Sequence, residues 1–225
     1  MAGRPKVVLF DVVETLFSLA PVKAALAPLQ ISFDLYFARL LRDGFALAAA
    51  GSYRPFGEIA ASALADLAPA ATEDQRARVR DAFRELPPHP DAEPALAKLT
   101  AAGVKVCTLT NGGADATSTL IANSGLSRHF ERVLTVEAVE RWKPAADPYR
   151  SALDGLGVEA RDAALVAVHS WDVHGAHRAG LTTGWCSRLE GSYPSIFDPA
   201  DVAGRDLLEV VEALLALACE DAPRE

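Results

Sequence analysis

The first residues able to do chemistry lie in Val7-Val8-Leu9-Phe10-Asp11-Val12-Val13-Glu14-Thr15-Leu16-Phe17. An apolar run stops at an aspartate, and a threonine follows four positions later. A strand buried on both faces of a parallel sheet reads as a continuous apolar run. Open α/β sheets take their ligands at the carboxyl ends of such strands. Asp11 is therefore a candidate carboxylate nucleophile. Other apolar runs also end in polar groups: Thr110 and Asn111 after 104–109, and His169 and Asp172 after 163–168. Lys143, in Trp142-Lys143-Pro144, follows the short apolar run 133–136. In a parallel sheet these ends share one edge, where two aspartates, a threonine and a lysine can meet.

The elements that must position these groups are legible in the periodicity. Residues 7–10 read as the first strand. The span 21–86 changes character, with apolar residues at helical spacing: Phe33, Phe37, Leu40 and Leu41, then Phe45, Leu47 and Ala48. Gly51-Ser52-Tyr53-Arg54-Pro55 breaks it, and Thr72-Glu73-Asp74-Gln75 has the form of a helix N-cap. No strand pattern occurs there, so the span predicts an insert of about four helices, leaving at Pro87-Pro88-His89-Pro90. Beyond it the pattern alternates. Helices are expected over 91–102, 114–124, 148–156, 173–179 and 207–217. Strands are expected over 104–109, 133–136, 163–168 and, as the last, 181–186. Such alternation implies βαβ units and an α/β fold with a parallel sheet.

Composition sets the outer limits. A chain of 225 residues, 50% of them hydrophobic, can build one large domain or a core with a smaller insert. A net charge of −8 disfavours nucleic acid as a partner, but one local cation suffices for a small anionic substrate. No apolar run is long enough to span a bilayer, so no membrane association is expected. Met1-Ala2-Gly3-Arg4-Pro5-Lys6 lacks a signal-peptide cleavage pattern, which points to a cytoplasmic protein. Cys107, Cys186 and Cys219 are odd in number and widely spaced, with neither a disulfide framework nor metal-ligand spacing. His174 and His177 lack a third ligand nearby and read as surface residues, so no metal site is expected. Trp171 and Trp185 read as packing residues. Phe33, Tyr36 and Phe37 read as core of the insert, with one of them a candidate pocket wall.

Four segments together resemble the haloacid dehalogenase superfamily: Asp-x-x-x-Thr-Leu-Phe at 11–17, Leu-Thr-Asn-Gly at 109–112, Lys-Pro at 143–144 and Trp-Asp at 171–172. Their order and approximate spacing carry the resemblance; any one alone is weak. It implies a Rossmann-like core over 1–16 and 91–225, flanked by helices, with an inserted α-helical cap over 17–90. Within the superfamily the details look most like the L-2-haloacid dehalogenase branch. Tyr149 follows Lys143 by six residues, and Ser170-Trp171-Asp172-Val173 resembles the fourth motif. The resemblance implies metal-independent displacement of halide from a short 2-halo carboxylic acid, through an aspartyl ester that water then hydrolyses. Asp11 is the implied nucleophile, with Thr15 and Lys143 holding its carboxylate and Asp172 activating water. Thr110, Asn111, Tyr149 and His169 are implied at the substrate, together with a cap arginine for the halide, Arg39 or Arg42. No cofactor is implied, and a homodimer is compatible with the resemblance.

Several positions depart from the branch, which usually has Tyr at 13, Gly at 14, Ser at 167 and Asn at 169. Here they are Val13, Glu14, Ala167 and His169. Glu14 places a charge beside the nucleophile and needs solvent or a cation. His169 can serve as a structural residue, as a replacement for an amide, or as an extra base. Two alternatives stay open. A Mg²⁺-dependent phosphatase would need Glu14 or His169 in place of the aspartate that phosphatases carry at position 13. A non-catalytic binding protein would keep the fold without the turnover.

Overall fold

A computed structural model describes residues 3–217, and Cys219 lies outside them. Six strands form one parallel sheet: β1 (Val7–Phe10), β2 (Lys105–Thr110), β3 (Arg132–Thr135), β4 (Ala163–Ala167), β5 (Thr182–Cys186) and β6 (Val202–Gly204). Their spatial order is β3-β2-β1-β4-β5-β6. β1 lies between β2 and β4, with Phe10 opposite Thr108 on one side and Val166 on the other. All four residues of β1 are buried, as their unbroken apolar run requires. The strand order reverses beside β1, and a crevice opens at such a point.

β6 departs from the sequence expectation, in which the strand over 181–186 is the last. It holds only three residues at the sheet edge. So short a segment carries no periodicity, and only pairing with β5 defines it.

Between β1 and the core helix α5 (Ala92–Ala101) come four helices: α1 (Ala20–Leu26), α2 (Phe33–Ala49), α3 (Phe56–Leu67) and α4 (Glu73–Ala82). Thr72 and Gln75 cap α4 reciprocally, through Gln75 N to Thr72 Oγ1 at 3.3 Å and Thr72 N to Gln75 Oε1 at 2.9 Å. Then α6 (Ala114–Asn123), α7 (Ala146–Leu156), α8 (Ser170–Arg178) and α9 (Leu207–Ala216) flank the sheet. No helix among the described residues is long and apolar enough to cross a membrane.

The buried side of α2 runs through Tyr36, Phe37, Leu40, Gly44 and Ala48, the spacing of one helical face. Gly44 meets Trp142, the residue before Lys143: a Cβ at position 44 would lie 2.5 Å from the indole ring. Helix propensity alone favours Gly44→Ala by about 1 kcal/mol. Steric overlap outweighs it, because Trp142 is 1% exposed and has little room to retreat. Gly44→Ala is therefore expected to destabilise the protein by about 1–3 kcal/mol in urea denaturation. A stabilised variant would show that the two surfaces are not held together at this point.

Candidate active site

Asp11 continues β1 by one ladder bond, donating N–H to Val166 O at 3.1 Å. Asp11 lies at the carboxyl edge of the sheet and is 4% exposed. Thr15 Oγ1 donates to Asp11 Oδ2 at 2.8 Å and accepts from Val168 N at 3.1 Å. One hydroxyl thus ties the loop after β1 to the end of β4.

Lys143 is fully buried and uses all three ammonium donors. Its Nζ donates to Asp11 Oδ1 at 3.1 Å, Leu109 O at 2.6 Å and Asp172 Oδ2 at 2.6 Å. Tyr149 O–H donates to the other Asp172 oxygen, Oδ1, at 2.6 Å. Both oxygens of Asp172 are thereby engaged, on a residue with no exposure. A carboxylate bound this way holds Lys143 in place and keeps further lone pairs on both oxygens.

Two sequence expectations shift in kind. Asn111 brackets the Lys143 backbone, accepting Lys143 N–H at Oδ1 (2.9 Å) and donating from Nδ2 to Lys143 O (3.5 Å). Thr110 Oγ1 accepts from Gly112 N at 3.0 Å and closes the turn after β2. Both residues build the frame of the site. The cap arginines lie elsewhere: Arg39 pairs with Asp66 at 2.9 Å, and Arg42 with its neighbour Asp43. Both fall off the buried face of α2, which presents Phe37 to the site instead.

Glu14 and His169 answer each other. Glu14 has φ of 66°, in the left-handed region that glycine adopts freely and other residues adopt at a cost. His169 Nε2 lies 2.9 Å from Glu14 Oε2, and Nδ1 lies 3.4 Å from Asp11 Oδ2. The charge at position 14 thus meets an imidazole. The ring is walled by Phe37 and Trp171, at centroid distances of 6.5 and 5.2 Å.

Sequence reading missed two anchors of this loop. His89 Nε2 contacts Glu14 O at 3.1 Å. Arg188 donates to Thr15 O at 2.8 Å while pairing with Asp91 at 2.6 Å. His89 sits in a proline-rich turn and Arg188 in an irregular segment, so neither carries a periodic signal. His174, read as a surface residue, pairs with Asp198 at 3.5 Å.

The electrostatics follow from these contacts. Burial pushes the Asp11 carboxyl up, but Lys143 and His169 beside it prevail and hold it well below the usual carboxylate range. Burial opposes the charge on Lys143, yet Asp11 and Asp172 keep its pKa above the ordinary value. Burial pushes the Asp172 carboxyl up, against the pull of Lys143. His169 is pushed up to about 10: burial lowers it, and Asp11 and Glu14 more than compensate. The result is an ionised, buried carboxylate held between two cations.

A cleft of about 790 Å³ opens next to this cluster, between the helices before α5 and the sheet edge. Val12, Val13, Tyr36, Phe56 and Gly112 line part of it. A larger cavity, of about 960 Å³, lies around Arg4, Lys105 and Arg161, at the start of the strands and away from the catalytic side chains.

Comparison with known proteins identifies the family and the fold. The family model for haloacid dehalogenase-like hydrolases matches residues 5–180. An (S)-2-haloacid dehalogenase from Xanthobacter autotrophicus is 31% identical over 193 residues, covering 82% of this chain and 76% of that protein. A crystal structure of an L-2-haloacid dehalogenase superposes with a TM-score of 0.89 at 26% identity, covering 94% of this chain and 99% of the other. The structure of the Xanthobacter autotrophicus L-2-haloacid dehalogenase with chloropropionic acid covalently bound gives a TM-score of 0.85 at 25% identity, covering 95% and 100%. The family model and the 31% identical relative show that the chain belongs to the haloacid dehalogenase-like hydrolase family.

Proposed function

We propose that this protein hydrolyses the carbon–halogen bond of 2-halo carboxylic acids through an ester on Asp11, without a metal or cofactor. One observation carries the reading: a buried, ionised Asp11 held by Lys143 and Thr15, with Val13 where a phosphatase needs a second acid. An Asp11 oxygen attacks the carbon bearing the halogen, that C–X bond breaks, and halide departs with the bonding pair. Halide needs no proton to leave, so the absence of an acid at position 13 is tolerated. Water then cleaves the ester and releases the 2-hydroxy acid. The covalently bound chloropropionic acid in one relative supports the same course.

The phosphatase alternative asks these residues to hold Mg²⁺, and they do not fit it. The Lys143 ammonium already bridges Asp11 and Asp172. Thr15 and Tyr149 take the remaining oxygen of each pair. A hard cation wants several open oxygen ligands, and this cluster offers carboxylates already neutralised by an amine.

The test is halide release from chloro-, bromo- and fluoro-substituted 2-carboxylates in EDTA, beside phosphomonoesters with Mg²⁺. EDTA-resistant halide release is expected. Mg²⁺-dependent phosphate release without halide would overturn the reading. A pH dependence follows as well. Ester formation needs Asp11 ionised, and its pKa lies well below the usual carboxylate range. The rate of the first halide burst should therefore stay flat from neutral pH down through 4–5, the range where an ordinary carboxylate near pKa 3.9 begins to protonate. A burst rate that halves near pH 5 would contradict the ion pairing described for Asp11.

A further inference from the structure

Lys143 holds the nucleophile, and the hold on Lys143 is itself divided between two parts of the molecule. Its ammonium and its backbone N–H are tied to the sheet edge, through Asp11, Leu109 O, Asp172 and Asn111. The residue one position earlier is tied to the helices before α5. We propose that Trp142 is a positioning residue for Lys143, and that α2 and α3 set the lysine against Asp11 by gripping the Trp142 indole. The proposal rests on the aspartyl-ester reading and adds to it a residue that acts through another.

In chain order Trp142 follows β3, in the segment that leads into α7. Its side chain is buried against α2, α3 and the loop that joins them. Nε1–H donates to Arg54 O at 3.0 Å. The Phe56 ring stacks on the indole, with centroids 5.8 Å apart and planes at 10°. Gly44 closes a third side, where even a Cβ would lie 2.5 Å from the six-membered ring. Arg141, one residue earlier still, donates to Ala48 O near the end of α2. Two successive side chains of one loop therefore end on the helices before α5, and the next ends on Asp11.

These contacts fix an orientation as well as filling space. The hydrogen bond fixes one edge of the indole, the stack fixes its plane, and Gly44 sets how deep it sits. Glycine inside a helix is unfavourable, and the close approach of Trp142 accounts for it at position 44.

Lys143 needs such a fixed point because its stem is a flexible four-carbon chain. The three contacts of its ammonium are unequal: 2.6 Å to Leu109 O, 2.6 Å to Asp172 and 3.1 Å to Asp11. The nucleophile has the longest of them, so a slip of the stem is felt there first. Asn111 restrains the Lys143 backbone on one side only. It accepts Lys143 N–H at 2.9 Å, but its bond to Lys143 O is stretched to 3.5 Å. The grip on Trp142 supplies the second point from which that backbone is set.

The experiment is single-turnover halide release from 2-chloropropionate with enzyme in excess, repeated at rising enzyme concentration. The plateau rate reports the carbon–halogen step. The concentration that gives half the plateau reports binding and the number of folded sites. A variant that merely loses folded molecules therefore shifts the half-saturating concentration and keeps the plateau. Wild type is compared with Trp142→Leu, Trp142→Phe and Gly44→Ala. Leu214→Ala serves as the control, since Leu214 is buried in α9 near Gly184 of β5. Trp142→Leu is expected to lower the plateau roughly 10- to 100-fold, because a misplacement of about 1 Å costs on that order. Trp142→Phe keeps a ring on Phe56 and should fall less. Gly44→Ala, a change on α2 that pushes the indole, should lower the plateau as well, while Leu214→Ala should keep it. Should Trp142→Leu fail to fold, Gly44→Ala decides. A wild-type plateau in Trp142→Leu or in Gly44→Ala would overturn the proposal alone, and so would an equal fall in Leu214→Ala. No halide release by wild type would overturn the aspartyl-ester reading, and this proposal with it.

Discussion

Asp11→Asn is expected to remove halide release by at least about four orders of magnitude, the scale seen when an enzyme loses its nucleophile. The fold should survive. Asparagine keeps the shape of aspartate and Lys143 keeps Asp172 at 2.6 Å, but with Thr15 on its carbonyl oxygen the new amide N–H₂ faces the Lys143 ammonium, so a loss of stability is expected beside the loss of activity. What disappears is the anion that attacks carbon. Halide release measured beside a thermal melt separates the two effects. A cooperative melt with no halide supports the nucleophile assignment. An active Asp11→Asn protein would place the attacking group elsewhere.

The second large effect is on stability. Lys143→Met fills the space of the side chain but leaves Asp11 and Asp172 facing each other, buried, with no ammonium between them. Breaking a buried ion pair by removing one partner costs about 3–5 kcal/mol. The loss should depend on pH in a defined direction. Without Lys143, burial and repulsion from Asp11 raise the folded-state pKa of Asp172 further above its unfolded value, while Asp11 keeps His169 and Thr15 beside it. Groups raised in this way destabilise the folded state most when ionised, so the deficit should shrink as pH falls from 8 to 5. Denaturation midpoints at the two pH values measure it. Adding Asp172→Asn should restore much of the stability and none of the activity. A deficit that grows toward acid would contradict the buried arrangement.

Much of this was legible in the sequence, and physics separates that part from the rest. β1 announces itself because a strand buried on both faces can hold only apolar residues. The helices between β1 and α5 show their 3.6-residue period, and the alternation beyond them dictates a parallel sheet. Asp11, Thr15, Lys143, Tyr149 and Asp172 converge because strand ends in such a sheet share an edge. The relation among them is a different matter. That Asp172 meets Lys143 with one oxygen and Tyr149 with the other is visible only in the structure. Glu14 looks like a liability until His169, 155 residues away in sequence, is found against it. Arg39 and Arg42 look equally able to reach the site until the rotation of α2 is known. Residue type and spacing give the inventory of a site; which donor meets which acceptor is set by rotations and loop paths that the pattern does not encode.

The central claim is that the oxygen entering the product comes from Asp11 and not directly from water. A single turnover in ¹⁸O-water, with enzyme in excess over 2-chloropropionate, tests it most directly. The account predicts unlabelled 2-hydroxypropionate and one heavy oxygen in the peptide that carries Asp11. Label in the product with none in that peptide would mean that water attacks the substrate carbon directly, and the ester on Asp11 would have to be abandoned.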